Sequence, residues 1–278
     1  MLYFFSFCCL IEKQTKEQLL FATNLLIKSM DKYLKDYKFI IYSNFNLKIN
    51  NPKVIIRKYY NHKNNINLYK HEKGWKEGWK NLSMNKIFIY KDLYDKFKVN
   101  YIWIDLDTYI YHNLSYLEKM DNYFLEYGGT RVIPEKVSTN FEVNFNRYIQ
   151  GNFWKLNIEL YTHLMNVFNN LKKNKITLKY DSQSLFTYYF YKTLKGKINK
   201  HKINISGNNS HPNLLNGVAL WCPKGNKEHA NLNGLLKLYN KNGILKSKFH
   251  NKKEIHIVSF TFFTLLKIKD HPYFTKIF

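Results

Sequence analysis

Asp105 and Asp107 are separated by one residue and follow a short apolar run, Tyr101-Ile102-Trp103-Ile104. Alternate side chains of a strand share a face, so this spacing predicts both carboxylates on one face and Leu106 on the other. In open parallel sheets, ligands bind at the carboxyl ends of the strands, which is where this pair would stand. Two carboxylates so close repel each other unless a cation lies between them, and hard oxygen ligands suit Mg²⁺ or Mn²⁺. A cation held there would take phosphate oxygens into its shell and, as a Lewis acid, offset the charge growing on a diphosphate leaving group. The alternative for an isolated Asp-x-Asp triplet is a surface turn with two solvated carboxylates.

The elements that must carry this pair can be read upstream of it. Leu2 to Phe7 is short, aromatic and uncharged, as expected of a buried strand. Thr15 to Leu34 has helical spacing through Leu19, Leu20, Thr23, Leu26, Ile27 and Met30, with Thr15 as N-cap and Gln18 completing a capping box. Tyr37 to Tyr42 and Lys53 to Tyr59 read as strands, the second with the apolar run Val54-Ile55-Ile56. After a polar loop through Asn61 to Asn67, Trp79 to Tyr94 reads as a helix, and Tyr101 to Ile104 as the strand before the aspartates. The order β-α-β-β-α-β predicts an α/β fold with a mostly parallel sheet and helices on its faces. Further on, Leu114 to Glu126 reads as a helix and Gly128-Gly129 as a turn. Arg147 to Trp154 is a strand with an irregularity at Gly151-Asn152. Glu159 to Lys172 and Ser182 to Leu194 are helices, and Ile255 to Thr264 is a late apolar strand or buried run. No repeat or linker divides the 278 residues, so a single domain is expected.

The formal net charge of +24 attracts anions in general, whether nucleic acid, acidic membrane or phosphorylated small molecules. Lys and Asn are spread along the chain, and its most basic stretches, Lys172 to Lys175 and Lys195 to Lys202, read as solvated surface. Aromatic residues make up 18% of the sequence, which argues against disorder. Cys8 and Cys9 are adjacent and Cys222 stands alone, so no disulfide framework is expected and a reducing, cytoplasmic setting fits best. Met1 to Ile11 lacks a basic leader region and is too short to span a bilayer.

The segment from Tyr101 to Leu114 resembles the metal-binding strand of GT-A glycosyltransferases, especially the family 8 type, and the likeness extends more faintly over most of the chain. The resemblance implies a GT-A-like, Rossmann-related single domain, with residues 1–113 as the nucleotide-binding half and 114–278 as the acceptor side. It implies a Mn²⁺- or Mg²⁺-dependent transferase acting on a nucleoside-diphosphate sugar, with a UDP-sugar favoured. The acceptor would be a surface-polysaccharide or lipid-linked glycan. Leu2 to Phe7 would be the nucleotide-binding first strand, contributing Phe4 and Ser6, and Lys86 would lie near the donor phosphates. The stretch Asp181 to Phe186 resembles the family's later acidic segment, with Asp181 and Gln183 beside the transferred sugar. Glu254 to Phe260 resembles the late strand whose histidine, here His256, supplies a third metal ligand after Asp105 and Asp107.

Each of these residues also has a structural alternative. His256 fits a satisfied core histidine, Asp181 fits a helix cap before Ser182, and Trp75 and Trp79, four apart, fit helix packing. The chain also departs from the family pattern. Gln150-Gly151-Asn152-Phe153 stands where an Asn-Ser-Gly type strand is expected, and no Lys-Pro-Trp follows the late histidine. The sugar and the anomeric outcome are therefore not implied. Two other functions meet the same residues less well. A haloacid-dehalogenase-like phosphatase also ends a strand in Asp-x-Asp, but bulky Tyr109 follows Thr108 here and no downstream acidic pair is evident. A basic nucleic-acid-binding protein suits the charge, yet no recognition motif is present and the aromatics have buried-type spacing. No nucleic-acid partner is expected. Peripheral contact with an anionic membrane at its inner face would be consistent with the charge.

Overall fold

Strands buried on both faces need apolar residues at every position, and the first strand, β1 (Leu2–Cys8), has almost nothing else. Leu2, Phe4 and Cys8 enter the core on one side of the sheet, whereas Phe5 enters the core on the other, with Tyr3 and Phe7 packed against it. This arrangement is seen in a computed structural model that describes residues 1–11, 15–62, 77–110, 112–127, 148–174, 182–195, 197–208, 220–221 and 257–259.

Helix α1 (Lys16–Tyr33) covers the first side. It opens on the expected capping box: Thr15 Oγ1 accepts from the Gln18 N–H at 3.2 Å, and Gln18 Oε1 accepts from the Thr15 N–H at 3.1 Å. Strands β2 (Tyr37–Ser43) and β3 (Val54–Lys58) add to β1 in parallel, and β3 is an edge strand. Helix α2 (Glu77–Phe97) crosses the second side and returns the chain to β4 (Ile102–Ile104), parallel to β1.

The chain then turns into β5 (Thr108–Ile110), which packs on α1, where the Ile110 N–H donates to Ser29 Oγ at 3.1 Å. The segment read as a helix from Leu114 to Glu126 folds differently. A 3₁₀ turn at Ser115–Lys119 is followed by β6 (Asn122–Tyr127). Tyr123 and Leu125 point into one core and Phe124 into the other, so the Tyr-Phe-Leu run is a strand buried on both faces and carries no period that separates strand from helix. Buried Asn122 helps to pin that strand, accepting from the Asn157 N–H at 2.8 Å.

Strand β7 (Tyr148–Lys155) pairs antiparallel with β4 and with β6. Its partners in β6 jump from Phe124 to Glu126 while β7 passes from Trp154 to Ile149, so the expected irregularity at Gly151-Asn152 is a bulged stretch of strand. Helix α3 (Ile158–Lys173) is capped by Asn157, and α4 (Ser182–Tyr188) runs on into a π-helical turn at Tyr189–Thr193. Strands β8 (Ile203–Asn208), β9 (Leu220–Trp221) and β10 (Ile257–Ser259) complete the described sheet.

The sheet order is β3-β2-β1-β4-β7-β6-β8-β9-β10-β5. Only the β4–β7, β6–β7 and β10–β5 pairings are antiparallel among the described strands, so the α/β, mostly parallel architecture is as expected. Strands from both halves of the chain share this one sheet. The aromatic content is largely core: Phe5 and Phe7 meet Trp103 edge-on at 5.0 and 4.9 Å, and Trp154 closes on Phe5 at 5.8 Å. Such pairs each add about 0.5–1.5 kcal/mol beyond simple burial. Among the described residues no helix is long and apolar enough to cross a membrane.

Candidate functional site

Strand β4 ends at Ile104, and the two aspartates lie in the turn that follows rather than along the strand. The Thr108 N–H donates to Asp105 O at 3.2 Å and closes this turn, and the Asp105 N–H donates to Asn152 O of β7 at 2.9 Å. The expected alternation of strand side chains therefore does not apply. The turn itself carries both aspartates, and Leu106 between them in sequence is buried in the α1-side core. Because β1, β2, β3 and β4 are mutually parallel, the turn stands at their common carboxyl edge.

Asp105 is oriented from within the strand. Trp103, two residues earlier, donates from Nε1 to Asp105 Oδ1 at 2.7 Å. The same indole carries Lys86, whose Nζ lies 4.8 Å from the ring centroid. Lys86 is only 5% exposed, although it is an ammonium, and its Nζ donates to the Gly151 carbonyl. A buried cation is costly without a partner. Here the partners are a carbonyl and a π face, and Lys86 has no carboxylate among the described residues.

Gly151 makes room for this arrangement. A Cβ added there would lie 3.1 Å from Ser182 Oγ and 3.3 Å from Lys86 Nζ, with Gln183 Cβ at 3.7 Å. The first turn of α4 is thus packed against the bulge of β7 and against the Lys86 head. Ser182 Oγ also meets Ser83 Oγ of α2 at 3.0 Å, and Thr187 fixes α4 to β7 by accepting from the Ile149 N–H at 3.0 Å.

The structure therefore brings Lys86, Asp105 and Gln183 into one neighbourhood with Trp103, Gly151, Asn152 and Ser182. Asp107 follows two residues after Asp105 in the same turn. Other expected residues lie elsewhere. Phe4 is fully buried in the core against α1, so its side chain presents no surface to a nucleotide. Ser6 is also fully buried, and its Oγ has no hydrogen-bond partner among the described residues. Asp181 and His256 lie outside the described residues, as do Trp75 and the segment from Arg131 to Arg147. The described residue of β10 next to the turn is Ser259, paired with Thr108.

Trp103, Gly151 and Ser182 were not anticipated as site residues. For Trp103 a signal existed: it stands two residues before Asp105 at a strand end, and an indole is long enough to reach back over its own strand. The Ser83–Ser182 contact joins residues far apart in sequence and left no local trace. The turn offers two hard carboxylate donors, one of them oriented by an indole N–H, and this donor chemistry suits Mg²⁺ or Mn²⁺. Among the described residues no group of three or more His, Cys, Asp or Glu side chains is placed to hold a metal. Compared with protein-family models the sequence matches none, and comparison with curated proteins finds no match.

Proposed function

We propose that the chain is a glycosyltransferase that uses a nucleoside-diphosphate sugar, a UDP-sugar being the favoured donor. The observation that supports this reading most directly is the indole of Trp103, which links the Asp105 carboxylate to the buried Lys86 ammonium at the carboxyl edge of a mostly parallel sheet. Two aspartates for a divalent cation and a separate ammonium whose partners among the described residues are a carbonyl and an indole face are complementary to a diphosphate.

In this reading Asp105 and Asp107 hold Mn²⁺ or Mg²⁺, with His256 as a third ligand. The bound cation supplies Lewis-acid stabilisation of the diphosphate leaving group. Lys86 adds a preorganised positive charge on the same side, in a site where little water weakens it. The glycosidic bond to the diphosphate breaks and a bond to the acceptor hydroxyl oxygen forms, with the hydroxyl proton leaving to a base. Gln183, at the start of α4, and Asp181 before it orient the transferred sugar or the acceptor hydroxyl. β1 contributes its carboxyl end to the sheet edge at which the nucleotide lies, while its Phe4 and Ser6 side chains stay buried beneath. The acceptor is a surface-polysaccharide or lipid-linked glycan, and the positive surface supports peripheral contact with an anionic membrane.

The test is calorimetric titration of UDP-, GDP- and CMP-sugars, with and without Mn²⁺, on wild type, Asp105→Asn and Asp107→Ala. One donor should bind in a Mn²⁺-dependent manner, with binding lost in both variants. Failure of every donor to bind the folded wild type would reject the proposal.

A further inference from the structure

A second recess is lined by residues of β2, β3 and α2, with β1 between those strands and β4. It has a volume of ≈ 280 Å³ and is lined by Tyr42, Arg57, Lys58, Tyr60, Asp92 and Lys96. Three cationic residues and one carboxylate are among its lining residues. That carboxylate is already engaged, since Tyr60 OH donates to Asp92 Oδ2 at 2.6 Å and His62 Nε2 lies 3.4 Å from Asp92 Oδ1.

Arg57 is the informative residue. The chain has 44 Lys and Arg residues, yet only Arg57, Arg131 and Arg147 are arginine. Where lysine supplies nearly all the positive charge, an arginine marks a position that benefits from a planar, multiply donating head. The Arg57 guanidinium carbon lies 5.4 Å from the Phe97 ring centroid, and its Nε is shielded from water without a hydrogen-bond partner among the described residues. The Phe97 ring thus packs on the guanidinium, and no carboxylate among the described residues forms an ion pair with it. A guanidinium without an ion-pair partner, beside two tyrosines in a recess of this size, matches a small oxyanion, for which arginine gives bidentate recognition.

We propose that this recess binds the phosphate or carboxylate group of a small molecule, at a site distinct from the Asp105 turn. It does not depend on the transferase reading. The two sites are joined through packed rings, Tyr42 on Phe7 at 6.0 Å and Phe7 on Trp103 at 4.9 Å.

The experiment follows the Nε–H signals of arginine in ¹⁵N-labelled full-length protein by NMR. With three arginines, the Arg57 signal is assigned by its loss in Arg57→Gln. Inorganic phosphate and glucuronate are titrated in separate arms, and a saturable shift of the Arg57 signal is expected in at least one. A response to phosphate alone identifies a phosphorylated ligand, and a response to glucuronate alone identifies a sugar acid. Calorimetric affinity for the responding anion should fall about tenfold to a hundredfold in Arg57→Gln, the range for losing a hydrogen bond to a charged group. The double variant Lys58→Gln/Lys96→Gln removes two exposed charges without touching the core and should also weaken binding. Asp105→Asn should leave it unchanged. An Arg57 signal that moves in neither arm overturns the proposal, as does equal affinity in wild type and the double variant.

Discussion

The indole N–H of Trp103 donates to Asp105 Oδ1 at 2.7 Å, so a residue of the buried strand orients the first carboxylate of the turn that follows it. Trp103 is 4% exposed and packs edge-on against Phe5 and Phe7, so the donor itself is held in place. Outer partners of this kind typically change metal affinity by about tenfold to a hundredfold when removed.

Trp103→Phe keeps an aromatic ring in the core and removes the donor. Mn²⁺ affinity, followed by electron paramagnetic resonance of the free ion, should fall about tenfold. Stability should fall by about 1–3 kcal/mol for the smaller ring. Unchanged Mn²⁺ affinity in a folded Trp103→Phe protein would show that the bond orients nothing of consequence.

The Lys86–Gly151 contact predicts a separation of stability from binding. Lys86→Met fills a similar volume and removes a buried charge, but it leaves the Gly151 carbonyl without this donor, at a cost of about 1–3 kcal/mol. The variant should therefore stay folded with a modestly lower urea midpoint, yet bind a nucleoside-diphosphate sugar at least about tenfold more weakly. Gly151→Ala tests the same contact from the other side. Its Cβ would meet Ser182 Oγ and Lys86 Nζ at 3.1 and 3.3 Å, so strand and helix must part slightly. A loss of about 1–3 kcal/mol is expected. If Lys86→Met unfolds the protein and Gly151→Ala is silent, the ammonium serves the fold and not a ligand.

The described elements from β1 to β4 were legible because their signals are local. Thr15 and Gln18 announce the start of α1 by side chains three apart, and both bonds of the box are present. The apolar runs of β1 and β2 are short and bounded by turn residues, which separates them from helices. Farther on, these signals fail for identifiable reasons. Tyr123-Phe124-Leu125 is buried on both faces of a central strand, so it carries no alternation, and the helical spacing of Leu114 and Leu117 reflects only a 3₁₀ turn. The aspartates read as strand residues because the apolar run up to Ile104 carries the strand signal to them, although Asp is favoured at the first position of a turn; the closure comes from backbone bonds to Thr108 and Asn152. The site is assembled from β4, α2, β7 and α4, and the contacts between those elements leave no periodicity to read.

The capping box predicts a measurable coupling. Thr15→Ala removes the acceptor for the Gln18 N–H and should destabilise the protein by about 1 kcal/mol. Gln18→Ala should have a smaller effect. Because the two side chains act on each other's backbone, the double variant should lose less than the sum of the single losses. Strict additivity in urea unfolding would mean that the two bonds act independently.

The buried thiols predict an alkaline limit to stability. Cys8 Sγ lies 3.5 Å from Thr23 Oγ1, and Cys9 Sγ contacts Tyr42 O at 3.7 Å. Burial pushes the Cys8 thiol up to about 11; burial, and then repulsion from Cys8, push Cys9 up to about 12, both from 9.0. The folded state holds these protons more tightly than the unfolded state. Their contribution is thus fully present below pH 9.0 and is lost as the pH rises towards 11 for Cys8 and 12 for Cys9. Urea unfolding at stepped pH should show wild type losing stability faster above pH 9.0 than Cys8→Ala/Cys9→Ala. A slope remains in the variant because burial also raises Tyr42 and Tyr101 to about 12. In a Cys222→Ser background, a thiol reagent at neutral to mildly alkaline pH should label the folded protein far more slowly than the unfolded chain, since the reactive thiolate is scarce. Rapid labelling of folded protein, or parallel pH slopes for wild type and variant, would mean that Cys8 and Cys9 are not held as buried neutral thiols.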